Sequence, residues 1–252
     1  MQSVAIYSPK GGAGKSTIAV NLAHLSATTS GRRTLLWDID AQGAASFLVG
    51  VSPRRSRAHR VISRESGPED HTAHTPYLNL DLLAADASLR RLEVQLVEAD
   101  ARKRLRKILR GLATRYDRIV IDCPPGLTEI SEQIFRAVDL IVLPVQPSQL
   151  GVRGYEEAAA HLRNNHPAGP ELLPVLSMID GRRKLHREMV AAHPDWPAIP
   201  QASIVEQMSV RRTPLGVFAR RHPAMAAFDH VWADVEGRLI DRERRGRSAV
   251  EA

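Results

Sequence analysis

Cysteine is almost missing from this chain: its 252 residues contain one, Cys123. A single thiol excludes an intramolecular disulfide framework and any zinc or iron–sulfur centre built from several cysteines of one chain. Long apolar runs are missing too. None approaches the roughly 20 residues needed to cross a bilayer, which excludes a membrane span. The opening residues MQSVAIYSPKGG lack a basic region followed by a long apolar core, so no signal peptide is expected. Aromatic residues make up only 4%. Lysine is scarce as well, with five (Lys10, Lys15, Lys103, Lys107 and Lys184) among 35 basic residues. Such an arginine excess also arises from codon bias, so a pI of about 10.0 does not by itself argue for nucleic acid. These absences leave a soluble, cytoplasmic domain as the expectation.

What is present is ordinary globular composition, 43% hydrophobic and 25% charged. The length suits one α/β domain of roughly 200–250 residues. The net charge of +7 attracts polyanions, and that attraction weakens with salt. Strand candidates fall at 4–8, 34–37, 80–84, 118–122, 140–144 and 172–178, several of them apolar throughout. Runs apolar on both faces suit a parallel sheet covered by helices on each side. Helical spacing recurs between them, as in Leu105, Ile108, Leu109 and Leu112, and in Phe228, Val231, Trp232 and Val235. The alternation predicts an α/β, doubly wound, mostly parallel sheet with helices on both faces. No internal repeat or linker divides the chain, so residues 1–240 read as one domain and 241–252 as a flexible polar tail. The stretch 52–76, rich in Arg, Ser, His, Gly and Pro, reads as a mobile surface loop.

Two of the scarce lysines fall in one short stretch, Ser8-Pro9-Lys10-Gly11-Gly12-Ala13-Gly14-Lys15-Ser16-Thr17, between the first strand and a helical pattern. Glycines let the backbone curl around phosphate oxygens, and successive N–H groups form an anion-binding nest. The following helix points its positive end at the same place. Lys15 is placed to neutralise the β- and γ-phosphates, and the Ser16 hydroxyl to ligate Mg²⁺. A chance glycine-rich turn would not be followed by Gly-Lys-Ser-Thr and a helix in this order. The usual phosphate loop would carry glycine where Pro9 stands; here a second lysine, Lys10, precedes the glycine pair.

Lys-Gly-Gly-x-Gly-Lys-Ser/Thr is the deviant Walker A motif, and with it the sequence resembles the ParA/MinD superfamily of P-loop ATPases, most nearly the small ParA-like (Soj-like) partition and positioning ATPases. The resemblance implies slow ATP hydrolysis with Mg²⁺ and an ATP-sandwich homodimer in which Lys10 reaches the partner's nucleotide. The segment Asp38-Ile39-Asp40-Ala41-Gln42-Gly43 looks like the family's second motif, with Ala41 in place of proline. By resemblance Asp40 orients or activates the attacking water; taken alone, it reads more simply as a helix N-cap or a loop acid. Residues 118–126, Arg-Ile-Val-Ile-Asp-Cys-Pro-Pro-Gly, look like a Walker B strand and switch, with Asp122 holding Mg²⁺ through water. The Pro124-Pro125-Gly126 turn could sense the γ-phosphate and relay it to the dimer interface. Cys123 reads as a buried structural thiol.

Beyond these motifs the match thins. Relatives often carry asparagine where this chain has Ser177-Met178-Ile179-Asp180; Met178, Asp180 and Pro200 are the positions assigned to the adenine. Relatives often place basic DNA contacts after Ile-Pro, whereas Ile199-Pro200 here leads into Gln201-Ala202. The DNA-facing candidates are therefore Arg182, Arg183, Lys184, Arg187, Arg211, Arg212, Arg220 and Arg221, each alone more simply a solvated charge. The six basic residues of 102–110 read mainly as a solvated helix face. The resemblance thus implies a nucleoid-associated ATPase that binds DNA non-specifically, meets a ParB-like or other stimulating protein, and positions a cargo. No helix-turn-helix precedes the loop, so sequence-specific operator binding is not expected. The alternative is a MinD-like regulator at a membrane or protein surface. The polar stretch after Ile240 offers no apolar face for insertion, so no membrane partner is expected. A third class, ATP-dependent metabolic or electron-transfer enzymes with the deviant loop, ranks lower; its reductase branch would need cluster-ligating cysteines.

Overall fold

The computed structural model describes residues 1–51, 67, 71–85 and 104–248. Its strands are β1 (Gln2–Ile6), β2 (Thr34–Asp38), β3 (Thr72–His74), β4 (Leu80–Leu83), β5 (Arg118–Asp122), β6 (Leu140–Val145), β7 (Glu171–Ile179) and β8 (Ala198–Pro200). They form one sheet in the order β3-β4-β2-β5-β1-β6-β7-β8, parallel throughout except for the edge pair β3–β4. β1 lies at the centre between β5 and β6, so the loop leaving its carboxyl end opens where the crossovers part to either side. Ligands bind α/β sheets in such crevices.

Side-chain alternation along the central strands builds two cores. Ala5, Leu35, Trp37, Ile119, Ile121, Ile141 and Leu143 face one layer, and Val4, Ile6, Leu36, Val120, Leu140 and Val142 the other. On the first layer lie α3 (Arg104–Leu112), α4 (Glu129–Phe135), α5 (Gln149–Asn165) and α6 (Lys184–Ala192). On the second lie α1 (Lys15–Thr28), α2 (Ala44–Leu48), α7 (Ser203–Arg211), α8 (Leu215–Phe218) and α9 (Pro223–Ser248). The doubly wound sheet expected from the alternation is what folds. α1 is buried on nearly every side, between the sheet and α9, which explains its run of apolar and small residues. Phe228, Val231, Val235 and Leu239 of α9 are fully buried, each contributing about 1.5–3 kcal/mol.

Three readings are corrected or bounded. Residues 71–76 of the expected loop are not all loop: Thr72–His74 pairs antiparallel with β4, after a partly exposed pattern that carries no apolar period. Residues 52–66 and 68–70 lie outside the described residues, as do 102 and 103 of the basic run. The expected tail is helical as far as Ser248, since Arg and Glu are good helix formers and Arg244 pairs with Asp241 one turn away. The rest of the basic run behaves as read: on α3, Leu105, Ile108, Leu109 and Leu112 are buried while Arg106, Lys107 and Arg110 are exposed. Among the described residues, no helix is long and apolar enough to cross a membrane.

Candidate functional site

The phosphate loop leaves β1 as read. Gly12 and Gly14 stand at φ 75° and 85°, in the left-handed region that a Cβ disfavours. Gly14 is also the N-cap of α1, and neither a side-chain cap nor an acidic residue occupies that helix end. Contrast α4, where Thr128 and Ser131 close a reciprocal capping box with Glu129 and Glu132 in the first turn. The start of α1 is thus left with unsatisfied N–H groups aimed at an anion. Gly11, Gly12 and Ala13 line the turn, and Gln146, at the end of β6, donates from Nε2 to the Gly12 carbonyl at 3.1 Å. Ser16 and Thr17 open the helix behind it.

The two lysines have different surroundings. Lys15 is buried at 7% exposure beside the carboxyl ends of the strands. Lys10 is exposed, and its Nζ donates to the Leu150 carbonyl at 2.9 Å, in the first turn of α5. One loop therefore presents one cation inward and one at the rim.

Asp38 and Asp122 close β2 and β5 in matched register, so two buried carboxylates stand on neighbouring strands. Asp38 accepts from the Ser46 amide (2.8 Å) and hydroxyl (2.7 Å) with Oδ2, and from the Asp40 amide (3.2 Å) with Oδ1. Burial pushes its pKa up to about 6, against the pull of the Ser46 hydrogen bonds, and the nearby Asp40 charge raises it further. Both oxygens of Asp122 are buried without a hydrogen-bond partner among the described residues. Burial pushes Asp122 well above the usual carboxylate range, the Asp38 charge adds to it, and the Ser16 hydroxyl and Lys15 ammonium act the other way. A buried carboxylate with no donor, next to a hydroxyl, is a hard-oxygen donor set of the kind that fits Mg²⁺. Asp122 and Ser16 would hold the ion there, and its charge would offset the repulsion between the two acids. Asp40 sits on the outer side, half-buried, its Oδ1 accepting from the Gln42 amide at 2.9 Å in a turn closed by Gly43 at φ 66°.

Sequence reading missed Asp38 and Gln146 as parts of this site. The available signal for Asp38 was a carboxylate ending an otherwise apolar strand, the same pattern that drew notice to Asp122. Cys123 is fully buried, as expected, and burial pushes its thiol upward.

The outlying candidates divide. Met178, at φ 59°, brings its terminal methyl to 3.6 Å from where a Cβ on Gly14 would stand, so it borders the loop. Asp180 is held bidentate by Arg182, at 2.9 and 3.0 Å, which keeps its carboxyl down at about 2. Pro200 ends β8. The basic residues form two groups on opposite layers. Arg182, Arg183, Lys184 and Arg187 surround the start of α6, with Lys184 3.6 Å from Glu188 and Arg187 donating to the Gly181 and Arg182 carbonyls. Arg211, Arg212, Arg220 and Arg221 flank α8. There Arg211 lies over Phe218 at 4.9 Å, Arg212 over Phe47 at 4.8 Å, and Arg220 pairs with Asp229.

A family described as an AAA domain matches residues 1–167. The chromosome partitioning protein ParA of Myxococcus xanthus is 34% identical over 157 residues, 61% of this chain and 55% of that protein. The chromosome-partitioning ATPase Soj of Thermus thermophilus is 31% identical across 95% of this chain and 97% of its own length. This chain belongs to the ParA/MinD superfamily of ATPases. At the level of fold, the ATP complex of Cyanothece McdA matches with a TM-score of 0.83 at 22% identity, covering 94% of this chain and 96% of that one. Membership in this superfamily agrees with the placement of two lysines in one loop, the feature from which the resemblance was drawn.

Proposed function

We propose that this protein is a ParA-like positioning ATPase that binds Mg·ATP, closes into an ATP-sandwich homodimer, holds DNA non-specifically, and releases it on hydrolysis. The observation that carries the proposal is the division of labour between Lys15 and Lys10. Lys15 is buried where the β- and γ-phosphates of a nucleotide on this loop would lie. The Lys10 ammonium, at the exposed rim, is bound among the described residues only to a backbone carbonyl that it can exchange for a phosphate of a facing subunit. The amides of Gly11 to Thr17 cradle the phosphates, Ser16 and Asp122 hold the metal ion, and Asp40 positions the attacking water. Phosphoryl transfer depends on that positioning and on charge stabilisation. Met178, Asp180 and Pro200 border the adenine.

DNA is held through phosphate contacts, which orient a protein without reading sequence. The group around α8 is the better candidate, because Arg211 and Arg212 are supported by aromatic rings rather than consumed by carboxylates. A ParB-like protein stimulating hydrolysis would then position a cargo in a bacterial cytoplasm, with the ATPase on the nucleoid.

Binding to random duplex DNA is to be measured with no nucleotide, ADP, ATP and a slowly hydrolysed ATP analogue across a salt series. The expected result is binding that requires ATP, falls steeply with salt and is lost in Arg211→Ala/Arg212→Ala. ATP-driven dimers that bind no DNA in any state would remove the DNA step and favour a membrane or protein surface. Lys10→Ala is expected to bind ATP without dimerising, and ATP-dependent dimers of that variant would overturn the cross-subunit role. Asp40→Ala is expected to accumulate the ATP dimer, which rapid turnover would contradict.

A further inference from the structure

On the sheet layer away from α1, three side chains from two helices converge. Glu132 of α4, His161 of α5 and His166, which ends α5, each bring one ligand atom within 4.8 Å of the others. His161 Nε2 lies 2.5 Å from Glu132 Oε1, and His166 Nε2 lies 3.0 Å from Glu132 Oε2. The group sits beneath the surface: the His166 side chain is 5% exposed, Glu132 17% and His161 24%. The Phe135 ring stands against both imidazoles, at 6.2 and 5.9 Å between centroids. None of the three belongs to the phosphate site.

We propose that Glu132, His161 and His166 form a transition-metal site, suited to Zn²⁺, that fastens α4 to α5. Two imidazoles and one carboxylate are a borderline donor set that favours Zn²⁺ over Mg²⁺ or Ca²⁺. With bonds of about 2.0–2.1 Å, tetrahedral ligands stand roughly 3.4 Å apart, so the two nitrogen–oxygen separations open by less than about 1 Å and a pair at the 4.8 Å limit closes by roughly 1.4 Å. The fourth position is left for water. The competing cation is Arg136, 3.1 Å from Glu132 Oε2; its side chain is 37% exposed, and such a pair contributes little. Behind the first ligand, Asn165 Nδ2 donates to the His161 carbonyl at 3.0 Å and lies 3.2 Å from His161 Nδ1, so the Asn165 side chain has to swing aside when a metal-bound imidazole carries its proton on Nδ1.

The position gives the site a consequence. α4 follows the Pro124-Pro125-Gly126 turn, α5 carries the carbonyl on which Lys10 rests, and the Phe135 ring meets Tyr7 edge-on at 4.9 Å. Tyr7 directly precedes the phosphate loop. A metal here stiffens the support of the switch turn and the loop together.

The same three groups also make a self-contained hydrogen-bonded cluster, each Nε2–H donating to the carboxylate, and affinity for metal separates the two arrangements. Untagged full-length protein, stripped of metal and free of nucleotide, is to be titrated with Zn²⁺ against a chromophoric chelator and with Co²⁺ by visible absorption. Expected are one equivalent bound at micromolar affinity or tighter, a four-coordinate Co²⁺ spectrum, a Zn²⁺-dependent rise in Tm, and no competition from excess Mg²⁺. His161→Gln/His166→Gln is expected to weaken Zn²⁺ by more than about 100-fold, glutamine keeping a donor to Glu132. Undiminished Zn²⁺ binding by the double variant overturns the proposal. So does wild-type protein that gives no Co²⁺ spectrum, an outcome that stands even if the double variant fails to fold.

Discussion

The two ends of β5 hold opposite kinds of buried charge. At its amino end Arg118, 4% exposed, donates to both oxygens of Glu236 at 2.9 and 3.0 Å, and Arg32 approaches the same carboxylate at 3.1 Å. At its carboxyl end Asp122 is fully buried, its oxygens without a hydrogen-bond partner among the described residues, beside a second buried acid, Asp38. The amino edge continues in the same manner. Arg33 holds Asp117, Ser3 donates to Asp139 at 2.8 Å, and the Gln2 amide donates to the Leu239 carbonyl on α9. One edge satisfies its charges internally, and the other leaves them for something brought from outside.

The largest test breaks the satisfied edge. Arg118→Ala strands Glu236 with Arg32 alone and is expected to cost about 3–5 kcal/mol in urea unfolding, with ATP hydrolysis per folded molecule unchanged. Lys15→Ala attacks the other edge. There the loss is expected in ATP affinity, about 3 kcal/mol or roughly a hundredfold by calorimetry, because a charge-assisted contact in a desolvated site is removed.

The Asp38→Asn variant sharpens the contrast by sign. Asp38 has a raised pKa of about 6, so between about pH 4 and that value the folded chain holds a proton the unfolded chain has released, and stability falls as pH rises. Asparagine cannot ionise. Its advantage over wild type in urea unfolding, in metal-free, nucleotide-free buffer, is expected to open across that window and hold above it, on the order of 2 kcal/mol. Asp117→Asn is the smallest change and has the opposite sign. Arg33 holds Asp117 down at about 2, so its contribution is present above the usual carboxylate pKa and lost as pH falls towards 2. With the Asp117 side chain 36% exposed, less than about 1 kcal/mol is expected at neutral pH. A larger loss there than from Arg118→Ala would invert the reading of the amino edge.

What the sequence made legible follows from how local each signal is. Residues 118–122 were read with the bounds they have in the fold, because all five are buried and a central strand shows an unbroken run. The phosphate loop was legible because its glycines and lysines act through backbone shape and charge within a few residues. Asp38 was not, because its significance lies in Asp122 standing beside it, a pairing made by sheet register. β3 and β8 are three-residue edge strands, too short and too exposed to establish a period. Glu132, His161 and His166 carry no ligand spacing in sequence, and only the docking of α4 and α5 brings them together.

α9 has a consequence for how the chain is made. It covers α1 and meets β8, burying Phe228, Val231, Trp232 and Val235, and reaches Ser30 through the Trp232 indole at 2.9 Å. The helix that follows β1 is therefore sealed by a helix roughly 200 residues later, and the two neighbours of β1 in the sheet arrive only with residues 118–145. A nascent chain released from the ribosome up to α8 carries a complete phosphate loop on an uncovered core. Contacts so distant in sequence slow folding and leave apolar surface open meanwhile.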